Sequence, residues 1–224
     1  MKKKFLSFST ILVFALAALL YGCSKENGNA EFPDVTANEN PVSGNLKHHY
    51  TLLPSGRDTV VDWPFGAAIL EVSFGDTLLI ASAIVTTTGS FQLVLPASIP
   101  GYYFSSMSGL ASHQGGAVKA TPETLRFMRT LQFKVHYTQG GTAKSMLVNL
   151  YKLKTDFSVD KSYHYNFCDS EGTFAGTGAT GNVYNWSFTK GWGLVESYII
   201  NPGFQAYNSK SVSSAAAGAV WVNI

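Results

Sequence analysis

Past residue 44 the apolar side chains recur at every second position, in short runs interrupted by Gly, Pro, Asn and Asp. A period of two places successive side chains on opposite faces of an extended chain, so it confines most of this polypeptide to strands. Phe91, Leu93 and Leu95 alternate with Ser90, Gln92 and Val94, and Phe133, Val135 and Tyr137 alternate with Gln132, Lys134 and His136. The cleanest run sets Tyr184, Trp186 and Phe188 against Asn185, Ser187 and Thr189, the pattern of a half-buried antiparallel strand. Turn signals stand where hairpins need them, at Pro54-Ser55-Gly56, Gly75-Asp76, Thr88-Gly89, Gly140-Gly141, Gly181-Asn182 and Lys190-Gly191. Residues 122–128 alone look helical, with Thr121 as the cap and Pro122 at the first helical position.

The predicted fold class is therefore all-β, in the form of two small antiparallel β-sandwich domains. Residues 105–120 are rich in Ser and Gly and lack strand alternation, which sets the expected boundary. The first sandwich is expected over residues 45–108 and the second over residues 109–224. The first is short enough that it should lean on the second.

The N-terminus has a different character. Lys2, Lys3 and Lys4 precede an apolar run over residues 5–20, the layout of a secretory signal peptide over residues 1–22. An uncleaved membrane anchor is the competing reading, but the run is shorter than the roughly 20 residues that a spanning helix needs. From Ser24 to about Pro41 the chain is rich in Asn, Glu, Gly and Pro without apolar periodicity. Residues 23–44 are accordingly expected to form a flexible tether, and a coil of that length spans about 25 Å.

Charge follows the same division. The chain carries 16 basic and 14 acidic side chains, and three of the lysines lie in the signal, which leaves 13 against 14 and a net charge of −1. A near-neutral body without clustered Lys and Arg argues against nucleic acid as a partner. Charged residues make up 13% of the chain and aromatic residues the same share, a balance suited to an extracellular β protein.

The run Leu20-Tyr21-Gly22-Cys23 resembles the lipobox of bacterial lipoprotein precursors. That resemblance implies that Cys23 is acylated and becomes the first mature residue, so that the membrane is a partner through the lipid anchor. Ser24-Lys25-Glu26 resembles the signal behind the lipidated cysteine in surface-exported Bacteroidetes-type lipoproteins, and implies an outer-membrane, surface-exposed location. Gly89-Ser90-Phe91-Gln92-Leu93-Val94-Leu95-Pro96 resembles the closing strand of transthyretin-like, carboxypeptidase-regulatory-like sandwiches. The segments Tyr163 to Asp169, Gly172 to Thr177 and Tyr184 to Trp192 resemble the C-terminal β region of uncharacterised lipoproteins of the same type. These likenesses imply an address and a fold class, and no reaction.

Motifs that suggest chemistry read better as structure. Gly176-Thr177-Gly178-Ala179-Thr180-Gly181 matches GxGxxG, but a dinucleotide site needs a helix directly after the glycines, and a strand follows here. Ser187 and Lys190 match SxxK in a segment that alternates as a strand, whereas that pair meets only on a helix. Asn185-Trp186-Ser187 fits the glycosylation triplet but falls within the same strand. Cys168 has no intrachain disulfide partner once Cys23 is committed to lipid, and reads as a small packed residue rather than a nucleophile. His48 and His49 should point to opposite faces of a strand, and His113, His136 and His164 offer no helical ligand spacing. A metal site from His136, His164 and Asp169 across strands is conceivable. Asp169 and Glu171 fall short of the six to eight oxygens that calcium takes.

Aromatic rings near turns and strand ends are the remaining candidates for ligand contact: Trp192, Tyr198, Tyr102, Tyr103 and Tyr207. Trp192 also suits an anchor that covers the sheet. The function expected is a non-enzymatic binding or structural module on the cell envelope, engaging an envelope protein or a surface glycan. A glycan-binding accessory role and a hydrolase with a loop-assembled site are the alternatives. No cofactor and no metal are expected.

Overall fold

The computed structural model describes residues 34–52, 56–75, 78–128, 131–201 and 206–223. Cys23 and the whole signal region lie outside the described residues. Residues 33–224 form one compact unit, and among those described nearly all regular structure is strand, so the chain is all-β.

The strands in chain order are β1 (Val35–Thr36), β2 (Asn40–Leu52), β3 (Arg57–Asp62), β4 (Ala68–Phe74), β5 (Leu78–Val85), β6 (Ser90–Leu95), β7 (Ser98–Ile99), β8 (Ser105–Ser106), β9 (Lys119–Thr121), β10 (Arg126–Met128), β11 (Leu131–Gln139), β12 (Thr142–Leu153), β13 (Val159–Cys168), β14 (Gly172–Thr177), β15 (Val183–Phe188), β16 (Gly191–Asn201), β17 (Ala206–Val212) and β18 (Val220–Val222). Hydrogen bonding runs β11-β4-β5-β6-β2-β18-β12 and returns to β11, a barrel-like closure. From β12 the sheet continues outward through β13, β16, β17, β15, β14 and β9. Two long strands make this possible. β12 gives residues 142–148 to β11 and residues 150–153 to β13, while β2 gives residues 40–45 to β6 and residues 47–52 to β3.

The alternation read from sequence maps onto burial. Phe91, Leu93 and Leu95 are buried and Gln92 and Val94 exposed, and Phe133 and Val135 point inward from β11. These side chains, with Leu46, Leu70, Val72, Val148, Phe167 and Trp221, form the larger core inside the ring. A second core, containing Met107, Leu125, Phe127, Cys168, Phe174 and Phe188, packs on the outward wing with Tyr184 and Trp186 against it. Burying each such side chain contributes about 1.5–3 kcal/mol.

Four features differ from the sequence expectation. β11 pairs with β4 over residues 131–136, so the sheet is continuous across the expected boundary between residues 108 and 109. Two pairings are parallel, β15 with β17 and β18 with β2, within an otherwise antiparallel sheet. β2 begins at Asn40, inside the expected tether, because its polar-looking start turns Val42 into the core while pairing with β6.

The fourth difference concerns the helix. Residues 122–128 are not helical: β10 occupies their end, paired with β8 and β13, and Asp169 fixes Arg126 through its backbone N–H at 3.0 Å and its Nε at 2.7 Å. The helix is α1 (Met107–Gln114), within the segment expected to be a boundary. Ser106 caps it by accepting from the Gly109 N–H at 3.2 Å, and Met107 and Ala111, four residues apart, are buried on the second core.

Candidate functional site

One face of the outward wing carries a row of opposed residues on five strands. Tyr151 on β12 stands opposite Ser162 on β13, and Ser162 stands opposite Ser197 on β16. Ser197 stands opposite Ser209 on β17, and Ser209 pairs with Tyr184 on β15. Three small side chains between two tyrosines leave a trough across the strands. Residues two along on the same strands share this face: His164 extends the floor, while Trp186 and Tyr207 add aromatic walls. Together they enclose a groove of about 550 Å³, within the range of small-molecule sites.

The floor is hydrogen-bonded and uncharged. The Ser197 and Ser209 hydroxyls bond to each other, His164 Nε2 lies 3.2 Å from Ser162 Oγ, and Ser162 Oγ donates to the Ser197 carbonyl at 3.4 Å. Burial holds His164 below its usual imidazole range, which favours the neutral ring. Burial likewise raises the Tyr151 and Tyr184 phenols, with hydrogen bonds from Asn149 and Asn182 acting in the opposite direction. Among the described lining residues Asp160, exposed at the rim, is the one carboxylate.

The walls are held from outside. Tyr184 donates its hydroxyl proton to Gln114 Oε1 at 2.7 Å at the end of α1 and accepts from Asn182 Nδ2 at 3.2 Å. Trp186 packs on Phe174 with centroids 5.0 Å apart and on Tyr184 at 5.5 Å, and its buried Nε1–H has no partner among the described residues. The GxGxxG loop joins β14 to β15 as a hairpin, and α1 holds it in place: Ala117 N–H donates to the Thr177 carbonyl at 2.9 Å and Ala179 N–H to the Gln114 carbonyl at 3.0 Å. Gly116, at φ +64°, permits this approach, since a Cβ there would meet the Thr177 carbonyl.

Beneath the sheet lies the buried charge of the wing. Glu196 projects from β16 to the opposite face, 4% exposed, where Lys161 Nζ donates to it at 3.0 Å and the Tyr163 hydroxyl at 2.9 Å, with Lys210 Nζ at 3.7 Å. Burial alone would raise this carboxyl; the Lys161 and Tyr163 hydrogen bonds and the two ammonium charges outweigh it and hold it below the usual range.

The aromatic candidates divide. Tyr207 lines the groove; Tyr198 borders it, but it alternates onto the face of Glu196, where Lys161 Nζ sits 5.9 Å from its ring. Trp192 lies elsewhere: its Nε1 donates to the Pro96 carbonyl at 2.8 Å and its ring meets the Phe167 ring at 4.9 Å, the position of an anchor over the core. Tyr102 and Tyr103 sit on a 3-10 turn far along the chain from the groove strands; Tyr102 is 70% exposed and Tyr103 packs on Phe74. The floor residues Ser162, Ser197 and Ser209 were not singled out by the sequence, which carries no information on which strands lie side by side.

The other sequence candidates are accounted for. Cys168 is 1% exposed, and burial, reinforced by the Asp169 charge, raises its thiol far above the reactive range. His136 pairs with Glu71 at 2.9 Å, Asp169 with Arg126, and His164 lies in the groove, so the three do not converge. Among the described residues no three metal-binding side chains cluster. His48 contacts Asn223 and Phe65 while His49 faces Asp58 at 3.5 Å. No helix among the described residues is long and apolar enough to cross a membrane. Compared with protein-family models, curated proteins and solved structures, the chain matches none.

Proposed function

We propose that this chain is a lipid-anchored protein of a bacterial cell envelope, acylated at Cys23, whose body is a non-enzymatic binding module working through the groove of the outward wing. The groove is the observation that supports the reading: a preformed, aromatic-walled trough with a few convergent polar groups is the ordinary form of a small-molecule site. The lipobox-like sequence before Cys23 supports the address. Several acyl chains, each buried methylene contributing about 0.8 kcal/mol, suffice for stable anchoring. Palmitate labelling of the full chain in a bacterial host should disappear in Cys23→Ala, and labelling that persists in the variant would refute the anchor.

A hydrolase is the second reading, and the Ser162–His164 contact favours it. A hydroxyl and an imidazole within reach form the first half of a nucleophile–base pair. Burial makes this imidazole a weak base, and the Ser162 proton is directed to the Ser197 carbonyl. Turnover of esters or glycosides by the purified chain, lost in Ser162→Ala, would replace the binding reading with this one.

A further inference from the structure

We infer that the groove binds a neutral oligosaccharide, laid along the Ser162–Ser197–Ser209 row between Tyr151 and Tyr184. The inference rests on the binding-module reading and names its ligand.

The row crosses four strand spacings of about 4.8 Å, so roughly 19 Å separates the backbones of the two flanking tyrosines. That length suits a short chain of rings better than a single one. Each serine hydroxyl both donates and accepts, and a neutral imidazole does the same with its two nitrogens. Such a floor matches a ligand whose own groups are hydroxyls. The walls, Trp186 and Tyr207 among them, supply aromatic surface, which suits the apolar faces of a sugar.

Other ligand classes fit this groove less well. An anion finds no cation on the floor, because Lys161 is engaged by Glu196 on the opposite face of the sheet. A quaternary ammonium needs rings gathered around one point, whereas Tyr151 and Tyr184 stand at opposite ends of the serine row. An acyl chain would leave the remaining hydrogen-bonding capacity of the serine hydroxyls and of the His164 ring unused against methylenes. An extended peptide gains its affinity at a free strand edge, and this groove crosses the paired interior of the sheet, where no edge is free.

The test is a glycan array carrying neutral oligosaccharides, uronate-containing chains and amino sugars, probed with the detergent-solubilised full chain. Retention of neutral chains is expected. Tyr207→Ala should weaken it tenfold or more and Ser197→Leu should abolish it by filling the trough, while Tyr102→Ala, outside the groove, should leave it within twofold. Tyr207→Phe, which keeps the ring, separates lost stacking from lost folding, as does a single cooperative melt for each variant, with Ser197→Leu lowered only by the loss of its bond to Ser209. Retention of charged glycans alone, retention indifferent to Tyr207 and Ser197, or an empty array would each overturn the inference. Capture of a quaternary amine or a peptide that is lost in Ser197→Leu would overturn the sugar and leave the binding module standing. Turnover of the arrayed chains would overturn the binding module itself.

Discussion

Ser197 on β16 lies directly opposite Ser209 on β17, and their hydroxyls are hydrogen-bonded to each other. Ser209 is 4% exposed, so its hydroxyl depends on that partner. Ser209→Ala should therefore lower stability by about 1 kcal/mol, the usual net contribution of such a bond. Urea denaturation would show it as a lower midpoint with an unchanged slope, which marks a change in stability alone.

Trp186 gives the opposite expectation. Its indole N–H is buried without a partner among the described residues, an arrangement that costs free energy in the folded state. Trp186→Phe removes the donor and keeps a ring against Phe174 and Tyr184. The variant should be as stable as the parent or more stable by about 1 kcal/mol, in contrast to the loss of 3–5 kcal/mol that is typical (about that range) when a packed aromatic is truncated to alanine. Chemical denaturation of Trp186→Phe beside Trp186→Ala decides it.

Two groups of the wing tie stability to pH, in separate windows. Glu196 titrates below its ordinary 4.5 in the folded chain, so its stabilising contribution is complete above that value and is lost as pH falls through the folded pKa. His164 is also lowered, from 6.5, so the unfolded chain takes up its proton first, and stability declines as pH falls below 6.5. Melting temperature against pH should show both declines. His164→Gln should remove the upper one, while Glu196→Gln should remove the lower one and cost about 2 kcal/mol at neutral pH.

Trp221 explains why residue 44 has no side chain. A Cβ on Gly44 would run into the indole of Trp221, which fills the centre of the ring against Phe91 and Phe133. Gly44→Ala should destabilise by about 1–3 kcal/mol through overpacking. A thermal melt that matches the parent would show that the indole has room to shift.

The strands were legible because alternation and turn glycines are local. β6 spans the alternating residues 90–95, and Gly140 and Gly141 turn β11 into β12 at positive φ. The helix was not legible, since Met107, Leu110 and Ala111 make a sparse stripe in a Ser- and Gly-rich segment, and residues 126–128 pair with β8 and β13 instead of extending the helix that Thr121-Pro122 suggests. The groove was legible only in part. Tyr184 and Trp186 stood out as a half-buried face, but Ser162, Ser197 and Ser209 come from three strands, and their alignment depends on register, a property of pairs of strands that no single stretch of sequence contains.

That register is what the binding account stands on, and a disulfide reads it directly. Two cysteines can bridge only when their Cα atoms lie within about 7 Å. The double variant Ser197→Cys/Ser209→Cys should oxidise to an intrachain bridge, seen as a loss of two mass units and of two titratable thiols in the unreduced chain, while Ser197→Cys/Ser211→Cys should stay reduced. Bridging of the second pair in preference to the first would place the serines in different rows and contradict the groove.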